Sequence, residues 1–308
     1  MDYRNTFRRM HPFTRMLMLA LIMFVSLIVV MALGLFAAIP FFEIDIWSYL
    51  GGGEPAPADL RFIRYLQAVS HVGLFIIPSV FFAIVVSHRP LHFMHAARRP
   101  AFWTVVICVM IMLAALPAVN YLNQLNQKMV LPDVLKSIEI WMRSAEDTAA
   151  EMVKKILVMH SWQDILFNLF LIAVLPAIGE EFIFRGILQK QFTQWTKNRH
   201  LAVIITAILF SAMHLQFFSF LPRLWLGIVL GYMLVYSGNI WYPVLAHFFN
   251  NAAALFVFYY YGMDELSTSL ENLGTGPYAL TLAVSSLVVI IALFVAFRRA
   301  GKKKRLRD

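Results

Sequence analysis

The stretch Pro176-Ala-Ile-Gly-Glu-Glu-Phe-Ile-Phe-Arg185 decides how the rest of the chain is read. It continues the apolar run Ile165–Leu175, yet it sets two adjacent carboxylates and an arginine into what reads as a membrane helix. Each ionised side chain at a bilayer centre costs about 2.5–3.5 kcal/mol on the insertion scale, so three together are too costly to be filler. Such residues face a protein interior or a wet cavity, and they point to a functional site.

Composition agrees with a membrane setting. The 308 residues are 60% hydrophobic and 14% charged, against about 45–50% and about 25% in soluble proteins. The fold class is all-α, a polytopic transmembrane helical bundle; the alternating ten-residue segments of an outer-membrane barrel are absent. The single Cys108 rules out a disulfide framework or a cysteine-based zinc site within one chain, and it reads as a buried thiol. The formal charge of +9 is concentrated in four basic residues before the first span and seven in the tail from Arg298. Both clusters abut membrane helices, where they set orientation and touch anionic membrane lipid. No separate basic domain exists, so nucleic acid is not an expected partner.

A crossing helix needs about 20 apolar residues. Eight segments meet or approach that length, near 16–40, 65–87, 101–122, 163–187, 201–219, 223–238, 241–261 and 278–297. With the N-terminus inside, inner segments carry 17 Lys/Arg and outer ones eight, Arg61, Arg64 and Arg223 among them, with Arg185 in the membrane. This asymmetry predicts both termini in the cytoplasm. The first apolar run is far longer than a signal-peptide core of about 7–15 residues and reads as a retained span. Three regions follow: 1–164, three spans plus an extracytoplasmic amphipathic segment; 165–261, a polar-layered core; and 262–308, a last span and basic tail. Outside, Gly51–Pro57 reads as a turn-rich loop. Asp133–Leu157 repeats Val134, Ile138, Trp141, Ala145, Ala149, Met152 and Ile156 on a helical period and predicts an amphipathic helix on the membrane or capping the bundle. His88, His92 and His95 read as interfacial anchors. Gly227-x-x-x-Gly231 signals close helix approach.

Three motifs punctuate the apolar second half: Glu180-Glu181-x-x-x-Arg185, Phe210-x-x-x-His214 and His247-x-x-x-Asn251. Residues four apart share a helix face, so Glu181 can meet Arg185, and His247 and Asn251 can address one point. Glu180 is turned about 100° from Glu181, which sends one carboxylate toward a site and the other toward a partner. At 1.5 Å per residue, Glu180, His214 and His247 all lie roughly 13–21 Å from the expected cytoplasmic helix ends, in one layer. Pro176 and Pro243, four residues before Glu180 and His247, can each loosen a helix and free a carbonyl. Taken singly, a histidine in a bundle is an interhelical hydrogen-bonding residue and a Glu–Arg pair a structural salt bridge. Five such groups at one depth favour a site. A transporter's proton or ion layer, or a non-catalytic scaffold, would use the same residues, although paired broken helices in both halves are lacking.

These three motifs, in this order, resemble the CAAX prenyl endopeptidase and bacteriocin-processing family (CPBP, also called Abi) of intramembrane proteases. The resemblance covers about a third of the chain, from Ile165 to Tyr261. It implies an integral, multi-pass protein, expected in the bacterial cell (inner) membrane, that hydrolyses a peptide or lipidated protein substrate. Signatures of zincin, rhomboid and presenilin-like proteases are absent. Peptide hydrolysis needs an activated water, an oxyanion stabiliser and a proton for the leaving amine. Glu180 is the expected general base and His214 orients its water. His247 and Asn251 would donate to the oxyanion. Glu181 and Arg185 would brace Glu180, and Phe210 would shape the cavity. Glu180, His214 and His247 also compose a plausible catalytic zinc set with an open position; the resemblance supports either a divalent metal or a glutamate-activated water without one. Oligomeric state is not legible.

Overall fold

The computed structural model describes residues 7, 9–42, 60–159, 161–269 and 276–305, with backbone alone for 261–269 and 302–305. Most of these residues are helical, and no strand occurs among them. The main helices are α1 (Pro12–Phe42), α2 (Leu60–Val86), α3 (Phe102–Gln127), α4 (Lys136–Ile156), α5 (Trp162–Thr196), α6 (Arg199–Ala212), α7 (Phe220–Ser237), α8 (Trp241–Ser269) and α9 (Ala279–Arg305). Among the described residues, six are long and apolar enough to cross a membrane: α1, α2, α3, α5, α7 with its preceding turn, and α9. The expected Gly51–Pro57 loop lies outside the described residues.

Local chemistry explains the helix ends that matter. Ser161 and Asp164 form a reciprocal capping box that starts α5. The Asn198 side chain accepts from the His200 and Leu201 amides at 2.9 and 3.2 Å and starts α6. Gly238, at φ 64°, ends α7 in the left-handed conformation that a side chain would disfavour. α6 has only 14 residues, about 21 Å of helix against a hydrocarbon core of about 30 Å. The segment expected to span from 201 to 219 therefore closes at Ala212, and its remainder becomes a turn leading to the short 3-10 helix Phe217–Ser219. Pro243 also departs from expectation. It falls in the first turn of α8, where a proline needs no helical N–H partner, so it does not loosen that helix.

Two apolar cores flank α8. One gathers Phe75, Phe82, Phe184, Phe210 and Val244 from α2, α5, α6 and α8. The other gathers Cys108, Met112, Leu230, Tyr242, Ala246 and Phe297 from α3, α7, α8 and α9, with Cys108 fully buried. α5 is wound unevenly between them. Leu169–Val174 and Phe182–Leu188 are π-helical and enclose the α-helical turns Leu175–Glu181. Such bulges frequently mark functional sites.

α4, the amphipathic segment, is clamped at three places. Glu139 accepts from the Leu131 amide at 3.1 Å and from Arg143 at 3.0 Å. Glu146 accepts from the Phe218 amide at 2.8 Å and the Ser219 hydroxyl at 2.6 Å, which ties α4 to the α6–α7 turn. Arg64 donates to the Ile156 carbonyl at 2.9 and 3.1 Å and pairs with Asp164 at 2.8 Å. It also donates to the Val158 carbonyl. Arg64, counted from sequence among the outer loop charges, is thus a buried cation on α2 that satisfies the carbonyls at the end of α4. α4 leaves Ile138, Ile140, Trp141 and Met152 exposed, as suits a helix lying at an interface.

Two outcomes follow for this clamp. Arg64→Ala should destabilise the protein by about 3 kcal/mol, since it strands buried carbonyls and one member of an ion pair; thermal unfolding in detergent and faster hydrogen exchange in α4 would register it. The Leu131 N–H, and then Arg143, hold the Glu139 carboxyl below its ordinary value. A depressed carboxyl contributes stability that is complete above the unfolded-state value and lost as pH falls through the folded one. Exchange of the Met129–Leu131 amides should therefore rise only on acidification below about pH 4.

Candidate active site

The site grows out of the α5 polar stripe. Glu181, Arg185 and Gln189 follow one another at four-residue spacing on a single face. Arg185 donates to Glu181 at 2.8 Å, and both side chains are fully buried. It donates further to the Gly227 carbonyl at 3.2 Å, and Gln189 donates to the Gly231 carbonyl at the same distance. The two glycines give the backbone of α7 that proximity. A Cβ on Gly227 would lie 3.0 Å from Ala207 Cβ, and one on Gly231 would lie 2.9 Å from Val203 Cγ1. The G-x-x-x-G motif thus brings α7 against α6 and bares carbonyls to α5.

Glu181 has a second partner. Its Oε1 lies 2.9 Å from His247 Nδ1 on α8. A carboxylate only accepts, so Nδ1 carries the proton and Nε2 of the ring points elsewhere. Nε2 lies 4.0 Å from Glu180 Oε2. That oxygen is buried and has no hydrogen-bond partner among the described residues. The two neighbouring carboxylates therefore divide the work. Glu181 holds Arg185 and His247 through Oε1, its Oε2 being buried without a hydrogen-bond partner among the described residues, whereas Glu180 lines the cavity.

That cavity has a volume of about 280 Å³ and is bounded by Glu180, His214, Arg223, His247, Asn250 and Asn251, with apolar walls including Met112 and Leu226. His214 sits two residues beyond Ala212, the last residue of α6, in the turn, and its Nδ1 donates to the Phe210 carbonyl at 2.8 Å. Its Nε2 is consequently the unprotonated nitrogen of the neutral ring. Phe210 lies edge-on to Phe184, His214 and His247 at centroid distances of 5.2, 5.1 and 5.9 Å. The Arg185 guanidinium lies 4.5 Å above the same ring. One aromatic side chain thus spaces both histidines and covers the buried cation. Asn251 lines the cavity but is partly engaged, donating through Nδ2 to the Ile172 carbonyl at 3.1 Å. Pro176, four residues beyond Ile172, has no N–H to give that carbonyl, so a helix-breaking residue on α5 is matched by an amide on α8.

Sequence reading missed two cavity residues. Arg223 reads from sequence as an outer-loop charge, but it belongs to the first turn of α7 and faces the site. Asn250 is hidden beside Asn251 in an apolar run. A signal for Arg223 was present: a cation in the first turn of a helix opposes the positive end of the helix dipole. Among the described residues, no three His, Cys, Asp or Glu side chains are grouped closely enough to hold a metal ion. Glu180, His214 and His247 share the cavity without forming a ligand cluster, and His88, His92 and His95 form none either.

The buried pair is expected to be structurally decisive. Arg185→Met should lower stability by about 3–5 kcal/mol, because it leaves Glu181 uncompensated in an apolar setting. The double change Glu181→Met with Arg185→Met should cost less than Arg185→Met alone, as read by thermal unfolding in detergent.

Comparison with known proteins places this same stretch. Residues 162–253 match the family described as type II CAAX prenyl endopeptidase Rce1-like. An uncharacterized protein of Bacillus subtilis (strain 168), YpbD, is 32% identical over 103 residues, which cover 32% of this chain and 48% of the relative. The chain thus spans about half the length of the curated relative it matches. No solved structure matches it. All three motifs lie within the matched residues, and that part of the chain is similar to the Rce1-like type II CAAX prenyl endopeptidases, consistent with the CPBP proteases it resembles by motif.

Proposed function

We propose that the chain is an intramembrane endopeptidase that hydrolyses a peptide bond in a membrane-associated or C-terminal-tail (CAAX-like) substrate, using water activated by Glu180. The observation that carries this reading is the open Glu180 Oε2, buried without a partner and 4.0 Å from His247 Nε2 in a cavity shared with His214. A water between these groups can give its proton to Glu180 as its oxygen adds to the scissile carbonyl. The carbonyl carbon becomes tetrahedral and its oxygen anionic. Glu180 then returns the proton to the amide nitrogen, the C–N bond breaks, and a carboxylic acid and an amine leave.

The neighbours have consistent parts. Unprotonated His214 Nε2 suits holding the attacking water as an acceptor. His247, anchored through Nδ1 by Glu181, offers an Nε2–H to the oxyanion in its doubly protonated form. Asn251 retains one N–H beyond its bond to Ile172, and Asn250 adds an amide on the same wall. Among the described residues these side chains form no group of three metal ligands, and no step is assigned to a metal. Family resemblance and the apolar surroundings support a substrate that arrives through or along lipid.

Glu180→Gln should abolish cleavage of peptides by the full chain in lipid, a loss of at least about 10²–10⁴-fold, with the melting temperature little changed. Normal turnover by that variant would refute the base assignment. In the same assay, 1,10-phenanthroline should leave the rate unaltered; loss on chelation with recovery on added zinc would turn Glu180 from base into ligand.

A further inference from the structure

Arg223 is the cavity residue to which peptide hydrolysis assigns no role. We propose that Arg223 binds the free α-carboxylate at the C-terminus of the peptide substrate. The proposal rests on the proteolytic reading above and names what that site recognises.

Arg223 lines the same cavity as Glu180, His214 and His247. One guanidinium nitrogen, Nη2, donates to the Gln216 side chain. The other, Nη1, is shielded from solvent and has no hydrogen-bond partner among the described residues. A buried N–H of a cation left unmatched is costly, and here it borders the cavity, where a ligand could meet it. Among the described residues, no ion pair at Arg223 supplies a structural reason for its presence. The nearby acid, Glu146, has both oxygens occupied by the Phe218 amide and the Ser219 hydroxyl. Helix stabilisation does not account for it either, since a cation in the first turn opposes the dipole of α7.

The ligand follows from the chemistry of the walls. A guanidinium presents a planar fork that matches a carboxylate with two parallel hydrogen bonds. Asn250 and Asn251 supply neutral amides suited to a peptide backbone, and Met112, Leu226 and Leu230 supply apolar surface for its side chains. About 280 Å³ is at the lower end of ligand pockets, room for a short peptide segment. An anionic terminus would be repelled by Glu180 and Glu181 unless a cation faced it; Arg223 is that cation. Gln216, bonded to Arg223 from the α6–α7 turn, acts as a positioning residue for it.

The test uses the full-length chain in lipid vesicles and two fluorogenic peptides, identical except that one ends in a free carboxylate and the other in a carboxamide. Wild type should favour the carboxylate by about tenfold or more in kcat/KM, the scale of a hydrogen bond to a charged group. Arg223→Gln should cut the two peptides at equal rates, and Arg223→Lys should restore part of the preference, which loss of folding would not allow. Equal cleavage of both peptides by wild type, or a preference retained in Arg223→Gln, would overturn the proposal while leaving the protease reading intact. If wild type cuts neither peptide, the protease reading falls, and binding of the same peptides to wild type and Arg223→Gln decides the Arg223 assignment. Binding about tenfold tighter for the carboxylate, lost in the variant, supports it; equal binding, or none, overturns it.

Discussion

A salt bridge buried at the middle of a membrane helix governs this structure. Glu181 and Arg185 are both withdrawn fully from solvent, and removing two ions from water costs several kcal/mol each unless further hydrogen bonds satisfy them. Their requirements recruit the neighbouring helices. Arg185 needs an acceptor beyond Glu181 and finds the Gly227 carbonyl on α7. Glu181 needs a second donor and finds His247 on α8. α5, α7 and α8 are thereby held at one level, and the remaining carboxylate, Glu180, is left facing the space between them.

Irregular backbone makes that space. Two π-helical segments and Pro176 interrupt α5 around the motif, and Asn251 satisfies the carbonyl that Pro176 cannot serve. A short α6 ends inside the thickness of the bundle, so His214 emerges beside the cavity instead of continuing along a helix. The turn that follows is held from two sides, by Asn126 of α3 and Glu146 of α4. Trp141 and Arg143 of α4 also touch Phe217 and Phe218 there. The amphipathic helix therefore fixes the turn that carries His214 and leads into Arg223. Positions set by so many hydrogen bonds change little during a reaction, which is what preorganised polar groups require.

Legibility from sequence tracked the range of the interaction. The Glu181–Arg185 pair and the opposed directions of Glu180 and Glu181 follow from helical period alone, and the close approach at Gly227 and Gly231 follows from side-chain size. The α6 boundary was not legible, because the apolar run continues past Ala212 and hydropathy does not register where a helix stops. Arg64 and Arg223 both read as loop charges for a related reason. A charge near the end of an apolar run has the same one-dimensional appearance whether it faces solvent, caps a distant carbonyl or lines a cavity.

Composition and local spacing were thus sufficient to determine a helical membrane protein with a polar layer built from three motifs, since bilayer cost and the 3.6-residue period act within one segment. Tertiary structure alone decided that Glu181 and not Glu180 holds His247, that Asn251 answers Pro176 across two helices, and that Arg223 joins the cavity. Each of these is a hydrogen-bond or packing relation between residues far apart in the chain, fixed by which helix faces meet and therefore invisible until the bundle is assembled.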